Sequence, residues 1–273
     1  MSDQGAQLPV TSSQEPQWVC EAQECYRAVI LALQQGGIPF VVGGGFAFHM
    51  HTGIWRTTKD MDLVLVPGAV PAALEKLREA GFETSIEDPV WLAKVRRGEY
   101  YVDLITGAGN ATLPADESWI KRGIPAEVLG FRCTVLPAEE LIASKIFVTR
   151  RERFDGADIA HLVKARGGQL DWDRLMNLAE PHKDMLFCSL VLFAYVYPAH
   201  TDVVPQRIWD ELTEQFKQHV DNPQKDAPFR GSLVDPKMFA IDVDEWGERD
   251  LYQEHKESYP GLLQTDQSSR SEL

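Results

Sequence analysis

Residues 39–66, PFVVGGGFAFHMHTGIWRTTKDMDLVLV, constrain the fold more than any other stretch of the chain. They read as a short apolar run, three consecutive glycines, a short helical segment and a second apolar run that two aspartates open. A short apolar run bounded by proline and glycine is typical of a buried strand, and glycines permit a tight turn between a strand and a helix. The stretch therefore predicts a strand–turn–helix–strand unit, which belongs in an α/β or α+β sheet domain.

The sequence on both sides of this unit supports the same fold class. Apolar residues at helical spacing predict helices over residues 18–35 and 70–80. Apolar runs predict strands over residues 99–106 and 131–136, within a region that is strand-like and rich in turns. The prediction is a mixed sheet with flanking helices.

After Pro137 the pattern changes to a series of helical segments, the first of which is predicted to run through AEELIASKIFVTRRERF. The change predicts a helical C-terminal domain. The predicted organisation comprises a disordered leader, the sheet domain, the helical domain and an acidic extended tail: residues 1–16, 17–136, 137–220 and 221–273.

Composition limits the classes of partner. The formal net charge is −14, so binding of nucleic acid by bulk electrostatics is excluded. A local basic patch is the remaining route, and we expect residues 94–97, 121–122 and 150–153 to form one positive rim.

The four cysteines are scattered without a CxxC pair, which favours reduced thiols over a disulfide framework. The N-terminus is polar, and the longest apolar run, Met185 to Tyr197, is shorter than the about 20 residues that span a bilayer. We therefore expect a soluble, cytoplasmic protein without a membrane partner.

The glycines and acidic residues around residues 39–66 carry the chemistry. A glycine turn before a helix lets backbone N–H groups approach phosphate oxygens. Asp60 and Asp62 are two positions apart in an extended segment, so their side chains leave the same face of the sheet. Two adjacent carboxylates repel each other unless a cation such as Mg²⁺ or Mn²⁺ lies between them. Asp103, in the apolar run YYVDLIT, is a third acid that is costly to bury without a partner.

These motifs resemble the nucleotidyltransferase superfamily typified by DNA polymerase β. More narrowly, GGGFAFHMHTGIWRTTKDMDLVL (43–65) and PAEELIASKIFVTRRERFDGADIAHLV (137–163) are similar to bacterial AbiEii-type nucleotidyltransferases, which include toxin components. The resemblance covers residues 24–165, about half of the chain. Two departures are a longer gap between the glycines and the Asp-x-Asp pair and a third glycine, Gly45.

The resemblance implies a nucleotidyltransferase-like mixed sheet and a role for each matching residue. Gly43 and Gly44 match the phosphate-binding turn, and Asp60 and Asp62 match the metal-binding, catalytic pair. Asp103 matches the third metal-binding and catalytic carboxylate. Lys145 matches a helix lysine that contacts the triphosphate, and Asp158 matches an acidic residue of the next helix.

Each role has an alternative. Asp60 also suits a surface ion pair with Lys59, and Asp103 also suits a strand acid that faces solvent. Lys145 also suits a helix lysine whose stem covers the core. Arg56 and Thr58 line the same nucleotide site or belong to a connecting loop.

A second set of residues has less specific interpretations. The pair His49 and His51 lacks further ligands for zinc and favours buried or surface histidines. The run at residues 150–153 favours a solvated helix face, and Asp155 suits the N-cap of the following helix.

Two functions follow from this pattern. The first is an enzyme that moves a nucleoside monophosphate from an NTP such as ATP to an acceptor hydroxyl on RNA, protein or a small molecule, using Mg²⁺ or Mn²⁺. The alternative is a non-catalytic protein of the same fold that binds a nucleotide or a partner. The AbiEii resemblance also implies a toxin with an antitoxin-like partner.

Overall fold

The structure is a computed structural model that describes residues 20–55, 58, 60–110, 112–150 and 152–258. These residues form two compact units, which divide after Pro137. The first unit lies within Met1–Pro137 and Lys256–Leu273, and the second is Ala138–His255. The predicted leader, residues 1–16, lies outside the described residues.

The first unit combines helices with strands. The helices are α1 (Cys20–Gln35), α2 (Gly44–Thr52), α3 (Val70–Glu79) and α4 (Glu117–Lys121). The strands are β1 (Val41–Val42), β2 (Asp60–Val64), β3 (Glu83–Asp88), β4 (Leu92–Arg97), β5 (Tyr100–Ile105), β6 (Ile124–Val128) and β7 (Phe131–Val135).

The seven strands form one mixed sheet in the order β3-β4-β5-β2-β1-β7-β6. β2 pairs parallel with β5 and antiparallel with β1, and β1 pairs parallel with β7. The outer pairs, β3 with β4, β4 with β5 and β6 with β7, are antiparallel. This mixed α/β architecture confirms the predicted fold class.

The centre of the sheet is apolar on one face and acidic on the other. Met61 and Leu63 alternate with Asp60 and Asp62 along β2, because successive side chains of a strand point to opposite faces. Met61 and Leu63 are fully buried, and so are their register partners on β5. The opposite face of the same two strands carries the aspartates.

The second unit is built mainly from helices. They are α5 (Ala138–Lys145), α6 (Gly156–Arg166), α7 (Trp172–Leu178), α8 (Lys183–Val196), α9 (Gln206–Asp221), α10 (Gly231–Val234), α11 (Ala240–Asp244) and α12 (Leu251–Ser258), whose last residues fall beyond the division. A small antiparallel hairpin, β8 (Thr149–Arg150) and β9 (Arg153–Phe154), separates α5 from α6.

This hairpin corrects the predicted continuous helix over residues 138–154. The helix ends at Lys145, and the following segment contains the β-branched pair Val148 and Thr149 among aromatic and apolar neighbours. Such residues lose side-chain freedom in a helix and suit a strand. The arginines at 150 and 153 therefore belong to a hairpin and not to a helix face.

The C-terminal region also differs from its predicted extended form. Residues 231–258 contain α10, α11 and α12, and Leu233 and Leu251 are buried. Burial of these leucines stabilises short helices that composition alone does not indicate. Among the described residues, no helix has the length and apolar character needed to cross a bilayer.

Replacement of Leu104 in β5 tests the central apolar face. Leu104 is fully buried, so we expect Leu104→Ala to lower the free energy of unfolding by about 2–5 kcal/mol. The matched control is Leu31→Ala on α1, whose leucine is 43% exposed and should cost no more than about 0.5 kcal/mol. Urea unfolding followed by circular dichroism measures both, and equal losses would contradict the assignment of the core.

Candidate active site

Three aspartates form a row on one face of the sheet. Asp60 and Asp62 lie on β2, and the parallel pairing of β2 with β5 places Asp62 directly beside Asp103 and Asp60 beside Tyr101. In-register neighbours on paired strands point to the same face, so all three carboxylates leave the same side. Asp103 is the most enclosed of the three and is only 8% exposed.

Lys94 extends this row by one strand. β4 pairs antiparallel with β5, and Lys94 is the register partner of Asp103. Its Nζ lies 2.5 Å from Oδ1 of Asp103 and 4.2 Å from the centre of the Tyr101 ring. The sequence analysis assigned Lys94 to a positive rim and missed its pairing with Asp103, because no motif marks that pairing and it follows from strand register.

The charges of the row act on one another. Burial raises the pKa of Asp103, the hydrogen bond and positive charge of Lys94 oppose that rise, and the negative charge of Asp60 adds to it. Burial also raises the pKa of Tyr101 and of Tyr26 on α1, and the charge of Asp60 adds to both shifts. Both phenols therefore keep their protons near pH 7.

The glycine turn contacts the same row. Gly43 donates its N–H to the carbonyl oxygen of Asp62 over 2.9 Å, and α2 begins at the next residue. Gly44 has φ +49°, and a Cβ at this position would overlap the carboxylate of Asp62. Gly45 has space, since the nearest atom to an added Cβ is Thr58 Cβ at 3.9 Å. Gly44 is therefore the glycine that the geometry requires.

Thr58 holds the side chain of Asp60. Its hydroxyl donates to Oδ1 of Asp60 over 2.5 Å and lies 3.1 Å from the carbonyl oxygen of the same residue. This contact fixes the carboxylate at the start of β2. Arg56 and Lys59, which the sequence analysis considered beside Thr58, lie outside the described residues.

Lys145 and Asp158 lie in the second unit, where they contact each other. The Nζ of Lys145 is 2.5 Å from Asp155 Oδ2 and 3.0 Å from Asp158 Oδ2, and Arg153 binds Asp155 from the other side. Lys145 is buried in this network, so it is more than a lysine whose head lies in solvent. Their role in nucleotide binding stays a prediction.

Asp155 occupies the N-cap position of α6, but its carboxylate serves the ion pairs and makes no side-chain cap. Burial by itself would raise its pKa, but the hydrogen bonds and charges of Arg153 and Lys145 outweigh burial and lower it. The sequence therefore predicted the N-cap position of Asp155 correctly, but the side chain of Asp155 does not cap the helix.

The two histidines of α2 have structural contacts. His51 is buried and its Nε2 donates to the carbonyl oxygen of Leu136 over 2.8 Å. His49 packs edge-on against Trp55. Of the two predicted placements, buried or at the helix surface, His51 takes the buried one.

The donors around the glycine turn suit a hard divalent cation. Asp60 and Asp62 offer carboxylate oxygens on one face beside a helix N-terminus, which is the donor set that Mg²⁺ and Mn²⁺ prefer. Asp103 is bound to Lys94, and no group of three or more acidic, histidine or cysteine side chains among the described residues is arranged around one point. Asp60 and Asp62 are therefore the donors that this face offers to such an ion, and the part of Asp103 in binding it stays a prediction.

The predicted positive rim is wrong. Residues 94–97 lie on β4, whereas residues 121–122 precede β6, and β4 and β6 are five steps apart in the sheet order, about 24 Å at the usual strand spacing. Lys94 and Arg96 are moreover paired with Asp103 and Glu87. Residues 150–153 belong to the second unit, so their part in the rim stays a prediction.

A mixed sheet with an Asp-x-Asp strand beside a glycine turn agrees with the nucleotidyltransferase resemblance of the sequence motifs. The sequence profile of a family described as "Nucleotidyl transferase of unknown function (DUF2204)" matches residues 22–187. The chain belongs to this nucleotidyl transferase family, and the predicted enzyme class is confirmed. A comparison with curated proteins finds no match.

Several solved structures are similar. The solution structure of the antibiotic-resistance factor ANT(2'')-Ia has 15% identity and a TM-score of 0.42, over 61% of this chain and 93% of that chain. The lincosamide antibiotic adenylyltransferase LnuA, bound to lincomycin, has 16% identity and a TM-score of 0.38, over 53% and 96%. A nucleotidyltransferase-like protein from Paracoccidioides brasiliensis has 18% identity and a TM-score of 0.40, over 67% and 92%. These TM-scores are low, so the similarities carry no argument about the substrate of this chain.

Replacement of Gly44 tests the close approach of the turn to Asp62. Gly44→Ala forces a Cβ into the Asp62 carboxylate at a positive φ, and we expect it to lower the free energy of unfolding by about 1–3 kcal/mol. Gly45→Ala is the matched control and should be close to neutral, because the added Cβ has space. Thermal unfolding compares the two, and a neutral Gly44→Ala would contradict the described geometry.

The Asp155 network predicts a pH dependence of stability. Because the folded-state pKa of Asp155 is below its ordinary 3.8, its stabilisation is present above pH 3.8 and is lost as the pH falls through the folded pKa. We expect Asp155→Asn to cost about 2 kcal/mol at pH 7 and progressively less in acid. Asp173→Asn, at a carboxylate 74% exposed, is the control. Urea unfolding at several pH values between about 2 and 7 measures the loss of unfolding free energy in each variant. A loss in Asp155→Asn that does not change with pH would contradict the ion pairs.

Proposed function

We propose that this nucleotidyltransferase moves a nucleoside monophosphate from an NTP to an acceptor hydroxyl and releases pyrophosphate, with Mg²⁺ or Mn²⁺ as its metal. One observation carries the proposal: Asp60 and Asp62 lie on one face, Asp62 contacts the Gly43–Gly44 turn that opens α2, and Asp103 is next in the row. The arrangement puts oxygen ligands beside backbone N–H donors, as a metal–triphosphate complex requires.

The turn and the start of α2 bind the triphosphate in this proposal. The N–H groups at a helix N-terminus have no partner within the helix and attract phosphate oxygens. Gly43 and Gly44 have no side chains of their own, which allows phosphates to approach the backbone closely. Arg56, Thr58, Lys145 and Asp158 are proposed as further nucleotide-binding residues, with Thr58 acting through its hydrogen bond to Asp60.

Asp60 and Asp62 would hold the divalent ion, which supplies neutralisation of phosphate charge when bound. The acceptor hydroxyl oxygen forms a bond to the α-phosphorus while the bond from that phosphorus to the bridging oxygen breaks. Pyrophosphate leaves with the electron pair of that bond. The hydroxyl proton passes to the carboxylate of Asp103, which is the acid nearest to Asp62 in the row.

The charge distribution supports a small-molecule hydroxyl as the acceptor in preference to RNA. The chain carries a net charge of −14. On β4, Lys94 and Arg96 are paired with carboxylates, and β4 is five strands away from β6, which follows α4. Phosphate backbones bind through clustered lysine and arginine, which this unit does not offer between β4 and α4.

The resemblance to AbiEii-type enzymes is carried only by the sequence motifs. The matched family and the similar structures do not name that group. A toxin role, an antitoxin-like partner and a cytoplasmic location therefore stay predictions.

Replacement of the Asp-x-Asp pair tests the proposed reaction. Asp60→Asn and Asp62→Asn should each lower metal-dependent transfer by roughly 100-fold or more, because each removes charge that binds the ion. Glu83→Gln is the matched control. Glu83 is an exposed acid on the edge strand β3, three strands from Asp60 in the same register, and its replacement should leave transfer unchanged. The measurement is incorporation of label from each α-labelled NTP into small-molecule hydroxyl compounds, RNA or protein.

The outcomes separate the acceptor from the reaction. Label in RNA or protein would replace the small-molecule acceptor and leave the reaction intact. NTP binding without transfer to any acceptor would favour the non-catalytic alternative. Transfer that survives both aspartate changes would contradict the proposed site.

A further inference from the structure

We propose that Lys94 is a fixed cation in the carboxylate row, where it takes the place of a second divalent ion at Asp103, so that one ion binds per chain. The inference rests on the proposed function and specifies how its metal site is composed. Lys94 acts as a positioning residue, since it acts on the reaction through Asp103.

Strand register is the first support. Asp62, Asp103 and Lys94 are successive neighbours across β2, β5 and β4, so the three side chains stand side by side on one face. The ammonium group of Lys94 is 2.5 Å from Asp103 Oδ1. The pairing of β4 with β5 thus by itself brings the side chain of Lys94 to the carboxylate of Asp103.

The surroundings of Lys94 hold it in that place. Its side chain is 17% exposed and that of Asp103 is 12% exposed, so the pair is largely shielded from water and weakly screened by salt. The ring of Tyr101, which stands beside Asp60, lies under the ammonium group at 4.2 Å. Arg96 stacks on the same ring but pairs with Glu87, so it does not compete for Asp103.

The formal charges of the row give the second support. Three carboxylates and one ammonium group carry a net charge of −2, which one divalent ion neutralises. A second divalent ion at Asp103 would stand next to the ammonium group of Lys94, which occupies Oδ1 in a shielded ion pair. Repulsion between the two cations therefore favours one ion, held by Asp60 and Asp62.

The pair also assigns the oxygen atoms of Asp103. Lys94 binds Oδ1 and thereby fixes the orientation of the carboxylate, so Oδ2 is the atom that we assign to accept the acceptor's proton. The hydroxyl oxygen gains its bond to phosphorus, the proton moves to Oδ2 and pyrophosphate departs with its electron pair. Lys94 neither gains nor loses a proton in this step.

Counting bound Mn²⁺ tests the inference. Electron paramagnetic resonance titration with Mn²⁺, in the presence of a saturating non-hydrolysable ATP analogue, should give one ion per chain for the unchanged protein. Lys94→Met removes the cation and should raise the count to two. Lys94→Arg keeps the charge and should restore one.

The matched control is Lys121→Met, at a lysine whose side chain is 75% exposed, which should leave the count at one. Two ions in the unchanged protein would overturn the inference while leaving the proposed function in place, and this result does not depend on how Lys94→Met folds. A count that stays at one in a folded Lys94→Met protein would also overturn it. No bound Mn²⁺ and no bound analogue in the unchanged protein would overturn the inference together with the proposed function.

Discussion

The parallel, in-register pairing of β2 with β5 is the constraint on which the candidate site depends. It sets Asp62 against Asp103 and Asp60 against Tyr101, and it sends the fully buried Met61 to the other face. Because the side chains of a strand alternate with a period of two, a slip of one residue would exchange the acidic and apolar faces. The burial of the apolar face therefore fixes the position of the acids, and stability and chemistry share one cause.

The cost of placing like charges together accounts for the other features of the site. Burial and neighbouring negative charge disfavour ionisation of Asp103. Lys94, its register partner on β4, opposes this effect with a hydrogen bond and a positive charge. Thr58 binds Asp60, and the Gly43–Gly44 turn leaves the carboxylate of Asp62 its space. The second unit solves the same problem differently, since Lys145 there lies between Asp155 and Asp158.

Local patterns predicted the elements with a strong sequence signal. The apolar runs around Val41 and Asp62 became strands, and the three-glycine segment became the start of a helix, because short-range sterics and hydrophobic spacing decide such elements. The hairpin at residues 149–154 and the helices over residues 231–258 were missed, because their signal is weak and packing determines them.

The sequence by itself determined the fold class, the identity of Asp60 and Asp62 as neighbours on one face, and the nucleotidyltransferase class, since spacing within one strand and a motif are local properties. Only the tertiary structure decided that Lys94 joins the acidic row and that the basic segments of β4 and α4 stand apart. Strand order and register bring together residues far apart in the chain, and they are set by the packing of the whole sheet.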